Sequence, residues 1–490
     1  MKRFILIAGF VSLFMVSGIA QNEEDALRYS LTSVMGTARY TGLGGAFGAL
    51  GADFATLSSN PAGIGLYKRS EVTVTPSIFF GNTESTYMGK TLEDGRNNFA
   101  VGNGGVVISV KPADKLDRNP LQNWQVGFGI NRLKDFNNRV KIQGVNAENS
   151  ILDTYLEYAD GKNPMTLNGF DTRPAFDTYL IDTISGTGPD FQYIDAYDYI
   201  GGFTSTLQQK TIDRYGSVNE WVLSGGINVT DHFYLGITLG FPMIRYTNES
   251  TYTEKNLNEE KDLQEFNIYE YLRTRGSGFN VKAGMILRVF PFLRIGAAFQ
   301  SPTWYHRMTD EWHTVTNAYY TNGDYFDARS PNGTYEYELQ TPWKASGSVA
   351  LVFGRAGLIS ADVEYINYAD AKLNASDYGF YDENSAIREN YTEAVNARVG
   401  AEITLGVIQL RAGYQYGMSP FASGVNDEVR QMASGGLGYK GKSFFFDMAL
   451  SYAFSDFDYY LYGTENIHVQ PVSIHPSDYN FLLTFGYKFE

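Results

Sequence analysis

Cysteine is absent from this 490-residue chain, which excludes disulfides, thiolate metal sites and a lipid anchor attached at a cysteine. Beyond the first twenty residues there is no run of 18 or more apolar residues, so no helix there is fit to cross a bilayer. Positive charge is also scarce. The 39 Lys and Arg stand against 54 Asp and Glu for a net charge of −15, and no basic patch offsets it. Binding to phosphate backbones needs clustered cations, so nucleic acid is excluded as a partner. Neither a G-x-S-x-G nor an H-E-x-x-H motif occurs, and the five histidines are scattered. No catalytic residue, metal site or cofactor is indicated, and an enzyme is not expected.

Aromatic residues and glycine are abundant, with 36 Tyr, 33 Phe and 51 Gly. The chain opens on Lys2 and Arg3, an apolar run from Phe4 to Val16, and Ser17-Gly18-Ile19-Ala20. That pattern predicts a secretory signal over residues 1–20. Loss of Lys2 and Arg3 would leave 37 basic against 54 acidic residues, a charge of −17.

The remainder alternates with period two, the mark of strands with one apolar face. Phe444, Phe446, Met448, Leu450, Tyr452 and Phe454 share one face; Phe445, Asp447, Ala449, Ser451 and Ala453 share the other. Tyr479 to Phe489, Trp124 to Asn131 and Phe233 to Phe241 repeat the pattern. Fourteen such segments are predicted: 71–81, 98–111, 122–133, 218–229, 233–247, 277–289, 292–303, 342–353, 357–368, 393–405, 407–417, 430–440, 444–455 and 478–489. Most are longer than the roughly 5–6 residues of a soluble strand and long enough for a tilted membrane crossing. Long connections (82–97, 134–217, 248–276, 304–341, 369–392, 418–429 and 456–477) alternate with short turns such as Thr230-Asp231-His232. Outer-membrane barrels sort their loops this way, with short periplasmic turns and long outer loops. The reading is therefore all-β: a 14-stranded antiparallel transmembrane barrel over 71–490. Its charged residues should face the lumen, since a cation facing lipid at mid-depth costs about 2–4 kcal/mol. Lys282, Arg288, Asp362, Glu364, Arg398, Glu402, Arg411 and Asp447 all fall on the non-apolar parity.

Residues 21–70 do not read as strands. Gly42 to Thr56 is rich in Gly and Ala, and Asn60-Pro61-Ala62-Gly63 follows. Small residues permit close backbone approach, and Asn-Pro favours a turn. A compact segment there fits a hatch folded into the lumen, at the periplasmic end. In these residues the sequence resembles the FadL/TodX-type outer-membrane transporters of long-chain fatty acids and other hydrophobic compounds. Gly44, Gly45, Ala46, Asp53 and Asn60 to Gly63 fit the family's N-terminal signature. Arg398-Val399-Gly400-Ala401-Glu402, Leu410 to Tyr414, Ser419-Pro420, Gly436 to Tyr439 and Asp447 to Tyr452 resemble its late strands. The Tyr-, Asn- and Asp-rich loops suggest a Bacteroidetes-like branch, often labelled haemin receptors. Glu490 departs from the pattern by following the terminal aromatic Phe489. The resemblance implies fourteen strands, an N-terminal hatch and passive, ligand-triggered transport with no cofactor.

Candidate site residues follow. Asn60, Pro61, Ala62 and Gly63 would form the moving latch, or simply a structural turn. Asp362, Glu364, Arg398, Glu402 and Arg411 would contact a ligand carboxylate, or pair with one another and with the hatch. Gly127 and Gly129 would loosen the wall for lateral exit, or make room beside the hatch. The expected partners are a hydrophobic small molecule and outer-membrane lipid and lipopolysaccharide, with the chain acting as a monomer in the outer membrane. Two other functions stay open. His306, His313, His468 and His475 in outer loops could make a haem receptor, and the long 134–217 loop could serve adhesion.

Overall fold

The computed structural model describes residues 22–112, 120–185, 191–200, 202–258 and 262–490. The predicted signal peptide lies outside the described residues.

Fourteen antiparallel strands form a closed ring, and we number them by their place in it. They are β1 (Ser70–Tyr87), β2 (Lys90–Val110), β3 (Leu121–Asp135, carried on by Asn138–Asn146), β4 (Thr206–Val229), β5 (Phe233–Asn256), β6 (Leu263–Phe290) and β7 (Leu293–Gln300, carried on by Trp304–Tyr320). Then come β8 (Gly333–Gln340 with Lys344–Val352), β9 (Gly357–Asn367), β10 (Glu393–Leu405), β11 (Ile408–Gly417), β12 (Arg430–Lys440), β13 (Phe444–Phe454) and β14 (Val472–Phe489). Each pairs with the next, and β14 pairs with β1 from Phe489↔Ser70 to Ser473↔Thr86, closing the sheet. Closure leaves no ladder edge whose N–H and C=O groups would lie unsatisfied in hydrocarbon.

The alternation resolves into outside and inside. On β5, Leu235, Ile237, Phe241 and Met243 are exposed outward, while Tyr234, Thr238 and Ile244 are buried inward. From Phe233 to Met243 the outward residues are all apolar. Ten steps of about 3.3 Å, tilted by about 40°, give a belt about 25 Å tall. Aromatic pairs rim it on both sides. Toward the outer face Phe128 stacks on Trp221 and Phe241 packs on Phe279, each with centroids 5.5 Å apart. At the short-turn end Phe290 stacks on Phe292 at 5.6 Å and Tyr487 on Phe489 at 6.4 Å. A closed barrel with an apolar exterior and two aromatic rims is an integral membrane barrel, and it resides in the Gram-negative outer membrane.

The structure departs from the expected strand ends. β4, β5 and β6 run 24, 24 and 28 residues, so much of the predicted loops 134–217, 248–276 and 304–341 is ladder standing outside the membrane. The predicted loop 82–97 is a β1–β2 hairpin closing at Tyr87↔Lys90. Apolar alternation stops at the lipid surface, but Thr, Tyr, Val and Ile keep their preference for extended backbone above it. The inward faces of these extensions bury Tyr87, Val140, Ile142, Ile212, Tyr252, Phe266, Val472 and Ile474. Against them packs a cap from the long β3–β4 connection, with α3 (Ile151–Ala159), α4 (Thr172–Asp177) and a hairpin of Ile181–Ser185 with Gln192–Asp195. Ser150 starts α3 with a reciprocal capping box, its hydroxyl accepting from Leu152 N and its own N–H donating to Asp153 at 2.9 Å. The cap covers the outer mouth.

One seam interrupts the wall. The β2–β3 ladder runs from Val110↔Trp124 to Asn103↔Asn131 and stops. Beyond it β3 bulges between Arg132 and Lys134, and its continuation pairs with β4. It passes inside the β1–β2 hairpin, where Asn138 Nδ2 donates to Thr83 Oγ1 at 2.8 Å.

The lipid-facing assignment predicts an asymmetry along one strand face. Ile237→Arg, at mid-belt, is expected to destabilise the barrel by about 2–4 kcal/mol. Thr251→Arg, on the same face above the belt, should cost under about 0.5 kcal/mol. Denaturant unfolding in phospholipid bilayers measures both; equal costs would contradict the assignment.

Candidate functional site

The N-terminal segment occupies the lumen from top to bottom, and glycine on both partners allows it. Helix α1 (Glu23–Ser30) sits in the outer half, where Leu27 and Tyr29 pack with Phe136, Tyr246, Tyr305 and Tyr337. The segment therefore reaches well beyond the periplasmic end expected for it. Below α1, Ser33 N donates to Leu133 O at 2.9 Å. The short helix α2 (Ala38–Gly42) is tied to β14 by Ala38 N donating to Thr484 Oγ1 at 2.7 Å. Gly44, Gly45 and Gly51 then take left-handed φ of 65°, 76° and 65°, a region where a side chain is strained. A Cβ on Gly413 would lie 2.1 Å from Gly44 N, one on Gly400 2.4 Å from Leu43 O, and one on Gly296 2.4 Å from Gly48 O. The wall is smooth where the segment's backbone touches it.

Asn60, Pro61, Ala62 and Gly63 form a tight turn, part of a 3-10 helix Pro61–Leu66. Asn60 Oδ1 accepts from Ala62 N at 3.1 Å, and its Nδ2 donates to Gly48 O at 2.6 Å. Gly236 and Gly284 make space for this turn, since added Cβ atoms would reach Pro61 O at 2.1 Å and Asn60 Oδ1 at 1.9 Å. Ala52 N donates to Gly63 O at 2.9 Å, closing the loop on itself.

The five charged candidates all face inward and fall into two ion clusters and one backbone clamp. Arg411 donates to Glu402 at 2.7 Å and to Asp447 at 2.5 Å, and Arg39 of the N-terminal segment joins Glu402 at 3.1 Å. Arg398 donates to Glu364 at 2.8 Å, and Asn396 adds a bond at 3.0 Å. Asp362 Oδ2 accepts from Phe47 N and Gly48 N at 2.9 and 2.8 Å, so a wall carboxylate grips the segment's main chain. Gly127 and Gly129 lie in the paired part of β3, below the seam. A Cβ at Gly129 would stand 2.6 Å from the Phe54 ring, and one at Gly127 would stand 3.0 Å from Leu57 and 3.1 Å from Ile64. Gly127 gives the N-terminal segment room, and Gly129 does so while also admitting the β2 backbone, with Gly104 O 2.3 Å from where its Cβ would stand.

Three residues escaped the sequence reading. Glu220 pairs with Lys282 and accepts from Ser58 Oγ at 2.7 Å, tying β4 to the segment. Arg39 lies outside any strand, so parity did not flag it. Lys344 is buried and donates to Thr32 Oγ1 at 3.1 Å. Its inward parity with Ser346 and Ser348 was the available signal. Lys344, Arg398, Glu364, Tyr40 and Phe299 are among the residues lining a cavity of about 80 Å³ between the segment and the wall. None of the five histidines lines it. His313 instead stacks on Tyr271 with centroids 5.1 Å apart, and His475 pairs with Asp456 at 2.6 Å.

A lipid-belted barrel whose lumen is filled by its own N-terminal segment has the architecture of an occluded outer-membrane channel. Among solved structures the chain is similar to a Pseudomonas aeruginosa FadL homologue (TM-score 0.56, 13% identity, covering 94% of this chain and 99% of that one). It is similar also to the Ralstonia pickettii toluene transporter TbuX (TM-score 0.52, 14% identity, 93% and 99%). The Pseudomonas putida toluene transporter TodX matches with TM-score 0.54, 12% identity, and coverage of 94% and 100%. No protein-family model matches the sequence, and no curated protein does. The chain has the fold of the FadL/TodX-type channels.

Two outcomes test how the segment is held. Gly413→Val would drive a side chain into the Gly44 backbone, an overpacking cost of about 1–3 kcal/mol. Conductance in planar bilayers should rise above that of the native protein; an unchanged trace would show that this contact does not seal the lumen. Glu23 in α1 is buried, and burial pushes its carboxyl up to about 7, with Glu24 and Glu383 adding to the effect. The folded value lies above the unfolded one. The stability this group contributes is therefore full at low pH and is lost as pH rises through about 7. Hydrogen exchange of α1, corrected for intrinsic rate, should be better protected at pH 5 than at pH 8, and Glu23→Gln should reduce the difference, the remainder coming from Asp25, whose carboxyl is also pushed up to about 7 by burial.

Proposed function

We propose that this chain is a FadL/TodX-type transporter that passively carries hydrophobic small molecules, long-chain fatty acids or similar compounds, across the outer membrane. The observation that carries the reading is the cavity of about 80 Å³ between the N-terminal segment and the wall, lined by Arg398, Glu364 and Lys344. In this reading residues 21–70 are a hatch and 71–490 the barrel. Ligand reaching the cavity moves the hatch, with Asn60, Pro61, Ala62 and Gly63 as its latch. A ligand carboxylate would compete with Glu364 for Arg398, Asp362 and Glu402 would respond through the hatch contacts they already make, and Arg411 would follow through Glu402. The seam between β2 and β3, just above Gly127 and Gly129, supports a lateral exit into the membrane. The chain would work as a monomer among lipid and lipopolysaccharide, without nucleotide or cofactor, and not as an enzyme.

Two of the structural neighbours are toluene transporters, so the ligand class is open to direct comparison. Cells lacking this protein should take up labelled long-chain fatty acid more slowly than cells carrying it, and re-expression should restore the rate. Unchanged uptake of fatty acid and of toluene alike would refute the transport reading. A defect confined to toluene would keep transport and discard fatty acids.

A further inference from the structure

The outward face of three neighbouring strands carries a charge pattern that transport does not use. On β5 the last apolar outward residue is Met243, and the next outward position is Arg245. On β6 the apolar run ends at Phe279, and Ser277, Arg275 and Arg273 follow. On β7 Arg307 comes just above Trp304 and pairs in register with Ser277. Arg245 and Arg275 are direct cross-strand partners. Both are exposed, and neither has an ion-pair partner among the described residues. Like charges set opposite each other destabilise a ladder. The flanking arginines are only loosely engaged, a part-buried Arg273 with Glu311 at 3.5 Å and an exposed Arg307 with Glu336 at 3.9 Å. Such pairs contribute little.

The height of the cluster identifies what it faces. It stands immediately above the rim formed by Phe241 and Phe279, at the level of the outer-leaflet headgroups. Elsewhere at this height Asn82 on β1, its partner Ser477 on β14 and Asn219 on β4 are uncharged, Glu393 on β10 is acidic, and Arg132, the partner of Asn219, is buried and paired with Asp135 at 2.7 Å. A chain of net charge −15 thus gathers unpaired guanidinium groups at one arc of the headgroup zone. Arginine is the side chain suited to planar, two-pronged recognition of phosphate. We propose that the outward face of β5–β7 is a binding site for lipid A, with Arg245 and Arg275 clamping one of its phosphates and Arg273 and Arg307 flanking it. The acyl chains would lie along Met243, Phe241 and Phe279 below. The site is independent of the transport reading and stands or falls without it.

Purified full-length protein in nanodiscs is titrated with bisphosphorylated lipid A and with the same lipid after removal of its phosphates, and bound lipid is counted by native mass spectrometry. The native protein should retain phosphorylated lipid A at least about tenfold more tightly than the dephosphorylated form. The double variant Arg245→Gln/Arg275→Gln should lose that preference while keeping the heat-modifiable gel mobility of a folded barrel. Equal binding of the two lipids by the native protein would overturn the proposal without recourse to any variant. So would full retention by the double variant, or equal occupancy by phosphatidylglycerol or by inorganic phosphate.

Discussion

Hydrocarbon offers backbone amides no partner, and from that constraint the rest of the structure follows. The sheet has to close, and closure gives every residue one of only two environments. Apolar side chains such as Ile237 and Val363 take the lipid side. Asp362, Glu402, Arg411 and Asp447 are left inside a narrow space with little water. Charges confined there need partners within reach, and unpaired ones cost several kcal/mol. Glu402 finds Arg411 from the wall and Arg39 from the N-terminal segment. The filled lumen is in this sense part of the electrostatics of the wall.

The same sheet serves two solvents along its length. Within the belt its core is the N-terminal segment; above it the core is the cap, with Leu152, Tyr155 and Ile181 closing on Tyr252 and Phe266. β5 illustrates the change, since its outward residues shift from Met243 to Arg245, Thr247 and Glu249 while its inward ones stay buried as Ile244, Tyr246 and Tyr252. Strand register continues through the boundary unchanged, although the β5–β6 ladder skips Phe241 and Pro242, the latter without an N–H to donate. The barrel is thus taller than the membrane.

What could be read from the sequence divides along that boundary. Phe444 to Phe454 announced a membrane strand because its apolar face had nothing to hide from except lipid. The extension from Ser250 to Asn256 announced nothing comparable, since its buried face is legible only with the cap in place, and the cap residues are far away in sequence. The site divides similarly. The inward parity of Asp362, Glu364, Arg398, Glu402 and Arg411 was plain, as was the turn at Asn60. The partners of Asp362 were not, because the amides of Phe47 and Gly48 leave no mark on residue identity. Gly105 gave no sign that Phe54 would need its missing side chain. Lys344 lay within reach of parity and went unnoticed.

A hatch has to be held firmly enough to seal the lumen and loosely enough to move. The wall meets it at Gly296, Gly400 and Gly413, where main chain lies against main chain, and Phe47, Phe54 and Leu57 pack against Ala350, Leu358, Val107 and Val222 elsewhere. Its specific ties to the wall are polar and include the two amides on Asp362, Ala38 on Thr484, Ser33 on Leu133 O, Arg294 on Leu50 O, Lys344 on Thr32, Ser58 on Glu220 and Arg39 on Glu402. Hydrogen bonds to charged groups contribute about 1.5–3 kcal/mol each. Breaking two would cost about 3–6 kcal/mol, within what the burial of a long alkyl chain offsets at about 0.8 kcal/mol per methylene. Glycine on one side and a carboxylate clamp on the other make the contact both tight and releasable, and that combination is what an occluded channel for apolar cargo requires.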